Sequence, residues 1–197
     1  QIEQLRTKIK QNNDKMYGGR VNNPRELSDL SHEVEQDLRL VSERELVAYI
    51  VARMSEQLRA QGRKVLVVSA DDFLQPGKDG PSLHAKVFLA VHADGNVTPC
   101  TGKASLAYAG KESTLAMHAV GWALAQALGY RYDEFARDGY TPAEARYYMF
   151  SQVSAPTLDG LLEVGELTCV ATEERLVRSA DAIAHNLSQA LIYLTSL

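Results

Sequence analysis

The amino-acid sequence predicts an α/β protein: a layered, mostly parallel sheet flanked by helices, preceded by an N-terminal antiparallel helical hairpin. Two patterns carry the prediction. From Ile2 to Gln61 apolar residues recur at steps of three and four, broken once by turn residues at Tyr17–Pro24. After Gly62, short continuous apolar runs of strand length alternate with further helical stretches, as expected of a sheet covered on both faces. A chain of 197 residues that is 45% hydrophobic and 23% charged can bury such a core without metal or disulfide staples, and is too apolar for wholesale disorder.

In the first arm Ile2, Leu5, Ile9 and Met16 share a stripe with polar Asn12, the seam of a short amphipathic coil. The run Tyr17-Gly18-Gly19-Arg20-Val21-Asn22-Asn23-Pro24 ends it. Asn23, Pro24 and Glu26 then supply an N-cap, a proline at the first helical position and the third-position Glu of a capping box. Leu27, Leu30, Val34, Leu38 and Val41 form the facing stripe. No further Gly or Pro occurs before Gly62, and Leu46, Ile50, Val51, Met54 and Leu58 keep helical spacing. The second helix should therefore run unbroken through Glu43 and stop at Gly62. Strands are expected at Val65–Val68, Val87–Val91, Ser105–Tyr108 and Leu158–Val164, with a loop over Gln75–Ser82. Helices are expected over Ser113–Leu128, from Thr141-Pro142-Ala143-Glu144 onward, and over Thr172–Leu194. This divides the chain into a coiled-coil hairpin, residues 1–45, and an α/β domain, residues 46–197.

Charge and cysteine usage narrow the function. With 21 Lys+Arg against 25 Asp+Glu the net charge is −4, which argues against a nucleic-acid partner that needs a basic face. No stretch approaches the roughly 18 apolar residues of a membrane span. No leader pattern follows Gln1, so a signal peptide is expected to be absent or removed. Cys100 and Cys169 are too few for a disulfide framework; one bridge would join them, but two free thiols are the expected state.

Two residues stand where ligands gather. His92 ends an apolar strand in Phe88-Leu89-Ala90-Val91-His92-Ala93-Asp94, and Glu163 is embedded in the apolar end of Leu161-Leu162-Glu163-Val164-Gly165. Carboxyl ends of strands in open α/β sheets line the binding crevice, and a carboxylate in apolar surroundings needs a partner, a metal or a raised pKa. The pair points to metal-assisted hydrolysis with Glu163 moving the proton; a capped strand-end His and a salt-bridged Glu is the plainer alternative. His84, His118 and His185 read as loop, packing or surface residues. Tyr147, Tyr148 and Trp122 read as core rather than as sugar platforms, and Asp71-Asp72 as a solvated turn.

The same stretches resemble the zinc-dependent N-acetylmuramoyl-L-alanine amidases of family 3. Ala90-Val91-His92-Ala93-Asp94 is similar to that family's Ser-Ile-His-Ala-Asn, whose His binds zinc. Glu163-Val164-Gly165-Glu166-Leu167-Thr168 is similar to its Glu-Ile-Gly-Phe-Leu-Ser, whose Glu is catalytic. Ser42-Glu43-Arg44-Glu45 is similar to its Glu-Lys-Asp helix entry, whose Glu is a zinc ligand. The resemblance implies Zn2+ held by His92 and Glu43, catalysis by Glu163, peptidoglycan as substrate and an extracytoplasmic location. It departs at the start: the family's first strand with His-Gly-Gly is missing, and His32 is the only upstream histidine to offer a third ligand. Asp94, Glu166 and Cys169 also replace the customary Asn, Phe and Asn.

Met16-Tyr17-Gly18-Gly19-Arg20-Val21-Asn22-Asn23-Pro24-Arg25-Glu26-Leu27 resembles the hairpin tip of bacterial zinc-ribbon coiled-coil proteins, without the four cysteines of their ribbon. A natural fusion, or an engineered chimera in which a hairpin replaces the amidase's first strand, would explain both resemblances. The competing function is a non-catalytic coiled-coil interaction protein with an incomplete amidase-like domain. Two short helices leave apolar edge exposed, so a homodimer through residues 1–45 is expected.

Overall fold

The structure is a computed structural model that describes residues 2–18, 21, 23–68, 84–94, 104–108, 110–132, 136–138, 147–153, 157–167 and 169–197. The chain divides into two compact units, Gln1–Leu46 and Val47–Leu197.

The first unit holds α1 (Ile2–Tyr17) and the start of α2 (Pro24–Ala60), a helix of 37 residues without a break. Gly18 ends α1: its N–H donates to the Asp14 carbonyl at 3.0 Å, and a Cβ there would lie 2.3 Å from that oxygen. Asn23 caps α2, its Oδ1 accepting the Arg25 N–H at 3.0 Å. Lys8 Nζ lies 2.8 Å from Glu33 Oε1 and 3.0 Å from Asp37 Oδ2, Asn12 Nδ2 donates to Glu33 Oε2 at 3.1 Å, and Arg6 pairs with Glu45. Residue numbers rise along α1 while those of the partners fall along α2, so the two helices run antiparallel. Val34 and Val41 are buried together with Asn12 and Asp37. Leu38, assigned to the seam from its spacing, is 50% exposed. Strict alternation of three- and four-residue steps through 27, 30, 34, 37 and 41 puts Asp37 there instead.

In the second unit, Ile50, Met54 and Leu58 of α2 are buried. Gly62 closes the helix at φ +73°, with its own N–H bonded to Arg59 O and that of Arg63 to Leu58 O, a Schellman cap. The four strands are β1 (Val87–Asp94), β2 (Ala104–Tyr108), β3 (Ala136–Asp138) and β4 (Leu158–Glu166), in the order β1-β4-β2-β3. β4 is parallel to β1 and antiparallel to β2, and β2 is parallel to β3. Two helices pack on each other and on β4: α3 (Gly110–Leu128) and α4 (Val170–Leu194). Met117, Val120, Leu124, Leu162, Val164, Leu176, Ile183 and Leu187 form the buried centre. α4 also receives α2 directly: Tyr49 Oη donates to Asp181 Oδ1 at 2.9 Å, and Ser188 Oγ to the Met54 carbonyl at 3.5 Å.

Three expectations change. Val65–Val68 belongs to no strand, and Leu66 and Val67 are 74% and 48% exposed. β3 has only three residues, too short and polar to announce itself by periodicity. Trp122 and Tyr148, both expected in the core, are 54% and 44% exposed. The expected loop at Gln75–Ser82, Asp71-Asp72 and the helix start at Thr141 lie outside the described residues; a 3₁₀ helix at Tyr148–Gln152 follows the last of these.

Candidate active site

In the parallel pair β1–β4, His92 stands in register with Glu163. Neighbouring strands lie about 4.8 Å apart and residues in register share a face, so both side chains leave the sheet on one side, at the carboxyl ends of the two strands. Two residues earlier in each strand, Ala90 and Leu161 form a small buried cluster on which Phe88, Tyr147 and Phe150 pack. Strand alternation carries that same face forward to His92 and Glu163. Just beyond them the register shifts, with Asp94 opposite Glu166. That bulge ends regular pairing at the site.

Tyr147 completes the group. Its hydroxyl lies 3.2 Å from His92 Nε2, and the two rings meet edge-on at 5.6 Å and 81°. The phenol ring is wedged against Tyr148 at 5.0 Å and Phe150 at 5.6 Å. Burial lowers the His92 pKa, so the ring is neutral at neutral pH. Burial also pushes the Tyr147 hydroxyl far above its ordinary value, helped by Tyr148 and by the negative charge of Glu163, so it stays protonated. Glu163 is half-buried with Oε2 enclosed. A carboxylate, a protonated phenol and a neutral imidazole are thus gathered at one strand end, able to accept a proton, donate a hydrogen bond and hold a ligand.

Two further sequence candidates belong to the first unit. His32 is exposed and Glu43 half-buried, both on the stretch of α2 in the first unit. A catalytic zinc takes three protein ligands and an open position. Among the described residues no group of three or more His, Cys, Asp or Glu could hold a metal ion, and the His92 Nε2 already has the Tyr147 hydroxyl as neighbour. The described residues therefore do not fit a catalytic zinc site. Cys169, expected as a free thiol, is buried and disulfide-bonded; the chain's other cysteine, Cys100, lies outside the described residues. The Cys169 Sγ packs 3.3 Å from Oε2 of Glu166, itself 1% exposed. Tyr147 is the residue that sequence reasoning missed, because nothing in its local spacing links it to a histidine 55 residues earlier.

Three solved structures share this architecture over about four-fifths of the chain. An N-acetylmuramoyl-L-alanine amidase of Nostoc punctiforme is 16% identical, with a TM-score of 0.56, covering 79% of this chain and 85% of that one. That of Clostridium difficile is 15% identical at a TM-score of 0.58, over 78% and 84%. The catalytic domain of the amidase from Bacillus (Paenibacillus) polymyxa var. colistinus is 16% identical at 0.54, over 78% and 85%. The fold is that of the N-acetylmuramoyl-L-alanine amidases. No protein-family model and no curated protein sequence matches the chain. Within this amidase-like fold, no described helix is long and apolar enough to cross a membrane.

Proposed function

We propose that the chain is a peptidoglycan amidase, acting outside the cytoplasm on the bond between the lactyl group of N-acetylmuramic acid and L-alanine. The observation that supports this most is His92 in register with Glu163 at the strand ends of an amidase-like fold. Glu163 takes the proton of the attacking water and returns it to the leaving amine. Tyr147, held protonated, shares a hydrogen bond with His92 Nε2 and keeps that ring oriented. Zinc is the cofactor that the resemblance implies; with His92 the one nitrogen ligand at this strand end among the described residues, no step is assigned to it. Intact chain is incubated with purified cell walls, with and without added zinc, and freed L-alanine amino termini are counted. Release by wild type and loss in Glu163→Gln are expected. Absence of release under both conditions, or equal release by the variant, would sink the reading.

A second role is favoured by the polar residues between α1 and α2. Buried Asn12 and Asp37 at seam positions set register and partner choice at a cost in stability. We infer that residues 1–45 form a coiled-coil hairpin that pairs with a second copy, using the exposed Leu38 and Leu40. Sedimentation of the intact chain should give a dimer, and Leu38→Glu/Leu40→Glu a monomer. A monomeric wild type removes this role.

A further inference from the structure

The structure assigns a second binding face to the surface around Trp122, a platform for a glycan strand of N-acetylated amino sugars. The choice of glycan rests on the proposed function; the platform rests on geometry. Trp122 is the chain's single tryptophan, and it is 54% exposed. The ring of Tyr132 lies nearly parallel to the indole, at 7° and 5.6 Å between centroids. At that separation two parallel rings stack with an offset, so Tyr132 backs one face of the indole. His118 also meets Tyr132, 5.7 Å away and tilted by 50°. The indole is therefore held by a ring that is itself held, and Trp122 stays more than half exposed.

The surroundings select the ligand. Residues three and four positions from Trp122 on α3 are its helical neighbours: His118, Ala119, Ala125 and Gln126. A protein-docking face would carry large aliphatic or aromatic side chains there. Ala119 is small instead, Ala125 is buried beneath the surface, and the exposed Gln126 offers hydrogen bonds beside the ring. From His118 to Gln126 there is no Asp, Glu, Lys or Arg, so this helix face suits a neutral ligand. A pyranose has that chemistry: the C–H bonds of one ring face pack on the indole, while hydroxyl and acetamido groups reach the polar neighbours. The acetamido methyl adds apolar contact that a plain hexose lacks.

Because the tryptophan is unique, intrinsic emission reads this face alone. Intact protein is titrated with tri-N-acetylchitotriose, which carries no peptide and no scissile muramoyl amide. Expected are a saturable blue shift of the emission and, by calorimetry, binding weakened more than about tenfold in Trp122→Ala, as for a Trp at the centre of a contact. Trp122→Phe, which keeps an aromatic face, should retain part of the affinity. Unchanged emission up to the solubility of the sugar overturns the inference. So does undiminished binding by Trp122→Ala, or a blue shift that follows protein concentration without sugar, which would seat a second copy there. Since the probe lacks the muramoyl amide, binding without amidase activity on cell walls would sink the proposed function and leave the platform standing; the reverse result would do the opposite.

Discussion

The Tyr147 hydroxyl lies 3.2 Å from His92 Nε2, across 55 residues of sequence. This contact ties the residue just before the 3₁₀ helix to the strand end that carries the candidate site. Tyr147→Phe keeps the ring packing and removes only the hydroxyl. It should cost about 0.5–1.5 kcal/mol of stability and free the His92 nitrogen. Chemical denaturation reads the first effect, and histidine ring nitrogen NMR the second. An unchanged His92 nitrogen signal would show that the hydroxyl does not govern that ring.

Burial of His92 also makes stability depend on pH. Its pKa is lowered in the folded chain, so the folded state binds fewer protons than the unfolded one between the two values. Stability contributed by the neutral ring is complete above the ordinary histidine range, near 6.5. It falls as the pH drops through that range toward the folded value. Thermal melts of wild type and His92→Gln should diverge in slope within this window and run parallel above it.

Gly165 follows Glu163 by two residues and sits at φ +154°, where a Cβ would meet Leu176 Cδ1 at 3.1 Å and Thr172 Cγ2 at 3.2 Å. Gly165→Ala combines an unfavourable backbone with a crowded contact against α4. A loss of about 1–3 kcal/mol is expected, measurable by urea unfolding. A neutral substitution would mean that α4 can give way at this point.

Between α1 and α2 the seam holds a carboxylate, and its removal should act differently from removal of its partner. Asp37→Leu replaces a buried charge by apolar volume and should leave stability unchanged or raised by up to about 2 kcal/mol, with looser register. Lys8→Ala leaves the Asp37 carboxylate enclosed without its 3.0 Å ion pair and should destabilise the first unit. Thermal unfolding of both variants, followed by helical circular dichroism, tests the opposite signs.

The helices were legible in the sequence because their stops and starts are chemical. Asn23-Pro24, Gly62 and, at φ +71° just after α3, Gly129 mark ends by capping, and α3 and α4 extend only two or three residues beyond the spans read from periodicity. Two misreadings have one cause: apolar character alone does not say which neighbour is available. Leu38 looked like a seam residue until the alternating step put Asp37 inward, and Val65–Val68 looked like a buried strand although no ladder receives it. His92 and Glu163 could be singled out because each interrupts an apolar strand end. Their register could not, since it depends on which strands pair; nor could Tyr147 or the exposed face of Trp122, which arise only once distant segments pack.

The strand order has a kinetic consequence. β1 and β2 follow each other in sequence, yet β4, the last strand made, lies between them. Among the described strands β1 has no partner, and β2 only the three-residue β3, until residues 158–166 have been synthesised, some fifty residues after β2 ends. Pairings across such separations are slow to form. A nascent chain would thus carry two strands with open edges through much of its synthesis, exposed to wrong partners. Loss of the last forty residues would leave that condition permanent, so truncated products should aggregate or be degraded rather than persist as smaller folded forms.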